Sequence, residues 1–111
     1  MIRRFLVHWL KGWGFPVTDV ANAADALEAM LAAPSDIVLC DIRMPGHDGL
    51  WLAEKIRRQW PRSVTIITTG VMDVDVVTQC QHLGAVDYVT KPFGRELLLQ
   101  ALARATSKLE R

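Results

Sequence analysis

The run Ile37-Val38-Leu39-Cys40 is apolar at every position, not at alternate ones, and it stops at Asp41. A strand without a polar face needs helices on both sides, and a parallel sheet built by crossover connections supplies them. Val64-Thr65-Ile66-Ile67 reads the same way and ends at Thr68-Thr69-Gly70, and Ala85-Val86-Asp87-Tyr88-Val89 marks a further strand beyond Gly84. Between them, apolar residues recur at helical spacing. Ile2, Phe5, Leu6, Trp9, Leu10 and Trp13 make a first amphipathic stripe that Gly12 and Gly14 close. A helix over 23–31 follows, with Asn22 as its cap and Pro34 beyond it. Leu52, Ile56 and Trp60 share a face that Pro61 ends; Val76, Val77, Cys80 and Leu83 give the next helix; Leu98, Leu102, Ala105 and Leu109 give the last. Pro16-Val17-Thr18-Asp19-Val20 reads as a short additional strand. The order α-β-α-β-α-β-α-β-α predicts an α/β fold, a doubly wound parallel sheet with right-handed crossovers and helices on both faces.

A chain of 111 residues can bury a core without disulfide or metal staples, so residues 1–111 are expected to form one domain. Half the residues are hydrophobic, which excludes a disordered chain. Thirteen basic residues against twelve acidic ones, with no long block of one sign, argue against binding nucleic acid or an anionic membrane by bulk charge. Cys40 and Cys80 have no metal spacing and lie in apolar patterns, as buried reduced thiols do. His8, His47 and His82 likewise lack ligand spacing. No apolar run is long enough to span a bilayer, and the start lacks the features of a signal peptide, so a cytoplasmic location away from membranes is expected.

In doubly wound sheets, functional groups collect at the carboxyl ends of the strands. Asp41, Thr69 and Lys91 fall at those ends. Each alone is an ordinary turn, strand-end or surface residue. Together, a carboxylate, a hydroxyl and an ammonium group fit hydrolase chemistry poorly, because no serine or cysteine is paired with a base. They suit a carboxylate that becomes covalently phosphorylated, since an aspartyl phosphate needs cationic and hydrogen-bonding partners for its new oxygens. A nucleotide-binding enzyme is disfavoured by the lack of a glycine-rich phosphate loop.

The run Asp41-Ile42-Arg43-Met44-Pro45-Gly46-His47-Asp48-Gly49-Leu50, then Thr68-Thr69-Gly70, then Gly84-Ala85-Val86-Asp87-Tyr88-Val89-Thr90-Lys91-Pro92-Phe93, resembles the receiver domain of two-component response regulators. The resemblance spans essentially the whole chain and implies a flavodoxin-like fold. It implies that Asp41 is the phosphoacceptor, served by a sensor histidine kinase or a small acyl phosphate. It further implies that Lys91 contacts the phosphoryl group and that Thr69 is the switch hydroxyl, with Thr68 the alternative one position earlier on the other face. Tyr88 matches the switch aromatic, although a plain core role for it stays open. The Lys91-Pro92 peptide bond is expected to be cis, a geometry that proline makes accessible.

The same resemblance implies a magnesium ion held by Asp41, the backbone carbonyl of Arg43 and a pair of acidic residues ending a first strand. No Asp or Glu precedes Asp19, so the acidic pair and that strand, central in the order 2-1-3-4-5, are expected to be missing. A thin magnesium site and slow or absent phosphorylation follow as expectations. So do a Val17–Val20 strand that pairs directly with Ile37–Cys40 or sits loosely, and a homodimer that covers the gap. An internal methionine taken as the start of an incomplete gene competes with natural loss. Trp51, off the Leu52–Ile56–Trp60 face, is expected to be exposed. The function implied is that of a signalling receiver, a phosphoacceptor and at most a weak autophosphatase. The alternative is a degenerate or truncated receiver that docks without phosphorylation. No output domain is visible, and the residues around Asp41, with Val74-Asp75-Val76, look closest to receivers of transcriptional regulators.

Overall fold

A computed structural model of the chain describes residues 8–43, 46–70, 74–83, 86–90 and 94–109. The elements are α1 over 8–12, α2 (Ala23–Ala32), β1 (Ile37–Asp41), α3 (Gly49–Gln59), β2 (Val64–Thr69), α4 (Val74–His82), β3 (Val86–Thr90) and α5 (Arg95–Leu109). Ile2, Phe5 and Leu6 of the expected first helix lie outside the described residues.

Local chemistry explains where the helices begin and end. Gly14, at φ +90°, takes the left-handed conformation that closes α1, and the N–H of Phe15 returns to the carbonyl of Leu10 at 3.0 Å. Asn22 caps α2, its side-chain oxygen accepting from the N–H of Asp25 at 2.8 Å. Asp48 does the same for α3 through the N–H of Trp51, also at 2.8 Å. Each cap contributes about 1 kcal/mol.

The three strands form one parallel sheet in the order β1-β2-β3. All six residues of the middle strand are buried, because apolar layers cover both of its faces. On one side Cys40 and Ile67 pack with Ala23 and Met30 of α2, Leu52, Ala53 and Ile56 of α3, and Cys80 of α4. On the other, Val64, Ile66 and Val89 pack with Leu98, Ala101, Leu102 and Ala105 of α5, joined by Trp9, Leu10, Trp13 and Phe15. The predicted stripes of α3 and α5 are therefore the buried ones.

The additional strand over 16–20 is not formed. This segment has no regular secondary structure, and Val17 and Val20 are only half-buried. Extended propensity becomes a strand only where a neighbouring strand supplies a ladder. Among the described residues β1 pairs with β2 alone, so direct pairing of Val17–Val20 with Ile37–Cys40 is excluded. The sheet has three described strands instead of four. Trp51 departs from expectation too: it is half-buried, stacked on His47 with ring centroids 3.7 Å apart and planes 9° apart.

Two hydrogen bonds fix which way the β1 amides point. The N–H of Val64 donates to the carbonyl of Asp36 at 2.8 Å, and the N–H of Ile42 donates to that of Thr68 at 2.9 Å. Since parallel ladders alternate, Val38 and Cys40 aim their N–H groups at β2, whereas Ile37 and Leu39 aim theirs away. Native-state hydrogen exchange should therefore find the Leu39 amide at least about tenfold faster than that of Cys40. Equal protection would show that another strand covers this edge.

Candidate functional site

Asp41 is the last residue of β1, half-buried where the strand leaves the core. Its carboxylate accepts the N–H of Arg43 at 3.1 Å, so the backbone turns around the acid as it exits. Gly46 then adopts φ +84°, a conformation costly for a side-chain-bearing residue. Asp48 starts α3, and the N–H of Gly49 donates to the carbonyl of Ile42 at 2.9 Å.

In the ladder Asp41 stands opposite Thr68, and Thr69 stands opposite Thr90. Ile66 enters the α5-side core and Ile67 the α3-side core. By the same alternation Thr68 turns toward α5 and Thr69 toward α3 and α4. Both threonines are 3% exposed. Thr68 thus shares the rung of Asp41, and Thr69 lies one residue closer to the carboxyl edge. Lys91 and Pro92 follow Thr90 directly in the chain, but they lie outside the described residues, as does the expected cis bond between them. Tyr88 is half-buried against the α3-side core. Beside it, the carboxylate of Asp87 accepts the Tyr88 N–H at 2.8 Å and pairs with Arg104 of α5 at 2.7 Å.

The family model for the response regulator receiver domain matches residues 1–103. The chain belongs to this family. It is 39% identical over 106 residues to the DNA-binding transcriptional regulator NtrC of Escherichia coli (strain K12), covering 96% of this chain and 23% of that protein. It is 38% identical over 107 residues to the C4-dicarboxylate transport transcriptional regulatory protein DctD of Rhizobium meliloti (strain 1021), with the same coverage. The chain therefore spans about a quarter of the length of these relatives. Among solved structures, the receiver domain of NtrX from Brucella abortus superposes with a TM-score of 0.87 at 28% identity, covering 98% of this chain and 90% of that one. The receiver fold expected from the sequence, flavodoxin-like with parallel strands between helical layers, is the fold found.

Magnesium fits this receiver's described residues poorly. Asp41 and the Arg43 carbonyl offer two protein oxygens, and among the described residues no group of three His, Cys, Asp or Glu side chains could hold a metal. The ion prefers six oxygens in near-octahedral array, so two protein donors make a weak anchor. Likewise, among the described residues, no helix is long and apolar enough to cross a membrane.

Next to the acid, Cys40 is 7% exposed. Burial first, and then the neighbouring charge of Asp41, push its thiol from the ordinary 9.0 up to about 12. Burial, followed by Asp87, also raises the thiol of Cys80. Neither is a thiolate near neutral pH, so the apolar residue beside Asp41 does not compete with it as a nucleophile. The expectation of two buried free thiols holds.

This shift has a consequence for stability with a definite sign. An unfolded chain releases the Cys40 proton near 9.0, whereas the folded receiver holds it until about 12. In that window the folded state binds more protons, so stability falls as pH rises, by up to about 1.4 kcal/mol per pH unit. Urea midpoints between about pH 8 and about pH 11 should fall more steeply in the parent chain than in Cys40→Val. Parallel slopes would count against a buried neutral thiol at this position.

Proposed function

We propose that residues 1–111 act as one receiver domain in which Asp41 accepts a phosphoryl group. The observation that carries this reading is the Asp41 carboxylate at the carboxyl end of β1, held by the Arg43 amide at 3.1 Å, in a chain that belongs to the receiver family. An Asp41 oxygen forms the new bond to phosphorus. The bond from phosphorus to the donor breaks, either to the ring nitrogen of a kinase phosphohistidine or to the oxygen of a small acyl phosphate, and its electron pair leaves with the donor. In the acyl case the leaving group departs as a carboxylate and needs no proton; in the histidine case the ring, already protonated on its other nitrogen, departs as neutral imidazole.

Lys91 balances the added negative charge, and Thr69 donates its hydroxyl to a phosphoryl oxygen. Tyr88 is the aromatic that follows Thr69, and phosphorylation shifts a two-state equilibrium that changes the surface of α4 and β3. The likeness to NtrC and DctD, both transcriptional regulators by name, supports an output in transcription for the protein that carries this domain.

A second reading, a receiver that docks without being phosphorylated, is favoured by one observation: among the described residues no group of three His, Cys, Asp or Glu side chains gathers at Asp41 to hold magnesium. Intact mass after incubation with a small acyl phosphate, with and without magnesium, separates the two. The phosphoacceptor reading expects one added phosphoryl group on the parent chain and none on Asp41→Asn. A folded parent chain that gains no mass under either condition would support the second reading.

A further inference from the structure

The carboxylate reading leaves open what holds the Asp41 backbone still while the side chain reacts, and the answer lies eight residues further along. Gly49 is buried at the first position of α3. A Cβ built on it would lie 2.5 Å from the carbonyl oxygen of Asp41, 3.1 Å from the Asp41 carbonyl carbon and 3.1 Å from the Cα of Ile42. All three are backbone atoms, so no side-chain rotation can make room. The demand is for space and not for conformation, because the described glycines with positive φ are Gly14 and Gly46.

The opposing side is fixed as well. The N–H of Ile42 is bonded to Thr68 of the buried middle strand at 2.9 Å, and the Ile42 carbonyl accepts from Gly49 at 2.9 Å. The peptide that follows Asp41 is therefore clamped between β2 and the first turn of α3. Asp48 holds that turn in place through the Trp51 amide. A methyl group at position 49 is relieved only by moving backbone, either the Asp41–Ile42 segment or the start of α3.

We infer that Gly49 is a positioning residue for the phosphoacceptor: its missing side chain lets α3 seat against the Asp41 peptide and set where the carboxylate points. This rests on the reading of Asp41 as the phosphate acceptor. An ångström-scale misplacement of a reacting group costs on the order of a hundredfold in rate. Gly49→Ala should consequently accept phosphate from an acyl phosphate at least about tenfold more slowly at saturation, with little change in the half-saturating concentration.

The experiment compares the parent, Gly49→Ala and Gly12→Ala. The last adds a methyl in α1 where nothing lies within 4 Å. Each is followed by intact-mass kinetics and by the NMR shifts of the Asp41 carbonyl carbon and the Arg43 amide. Expected are displaced Asp41 and Arg43 signals and a slower maximal rate in Gly49→Ala alone, with α-helical content retained. A folded Gly49→Ala with parental shifts and parental rate overturns the proposal. If that variant unfolds, trimethylamine N-oxide restores the compact state for the same shift measurement. Failure to fold even then overturns the proposal too, making Gly49 a requirement of folding. A parent chain that takes no phosphate defeats the phosphoacceptor reading, while the Asp41 and Arg43 shifts still decide the positioning one.

Discussion

The middle strand carries the arrangement. All six residues of Val64–Thr69 are buried, and the strand's backbone is paired in parallel on both sides, to Ile37–Asp41 and to Val86–Thr90. A one-residue slip of either ladder would turn Ile66 and Ile67 into the wrong cores, so the register is held by the packing of both layers at once. That register sets Asp41 beside Thr68 and carries Thr69 one step further toward the carboxyl edge. The relation between acid and hydroxyls is thus a product of burial elsewhere in the sequence, at Leu98 and Ala101 on one side and Leu52 and Ile56 on the other.

Beyond the strand, short-range chemistry takes over. Arg43 folds back on the Asp41 carboxylate, Gly46 supplies a left-handed backbone, Asp48 caps the helix, and Gly49 lets that helix approach the strand end. These features occupy the eight residues after Asp41. They fix the described residues on either side of the exit, consistent with a carboxylate whose direction matters more than its reach. The neutral thiol of Cys40 keeps the layer beneath Asp41 apolar.

Much of this was legible in the chain. The runs Ile37–Cys40 and Val64–Ile67, short, rich in β-branched residues and without a polar face, read as covered strands, and the stripes of α3 and α5 named their own buried faces. Asn22 was readable as a cap because a side-chain oxygen just before an apolar stripe has few other uses. Pro16–Val20 was misread, since extended propensity does not reveal whether a partner strand lies alongside. Trp51 was misjudged for a related reason: the helical wheel shows it off the core face, but not that His47 folds over it from the preceding loop. The Asp87–Arg104 pair, seventeen residues apart, had no sequence signal at all.

Gly49 shows where the two kinds of information divide. As a letter it belongs to a family motif. Its physical meaning, a 2.5 Å approach to the Asp41 carbonyl, exists only once α3 is packed against the end of β1. By itself the sequence determined the alternation of helices with three of the strands and the acid at a strand end, because periodicity is a property of a chain, and its motifs carried the resemblance to the receiver family. Tertiary structure decided the three-strand ladder, the threonine on the rung of Asp41 and the glycine beside it, because register and close approach are relations between segments that only packing brings together.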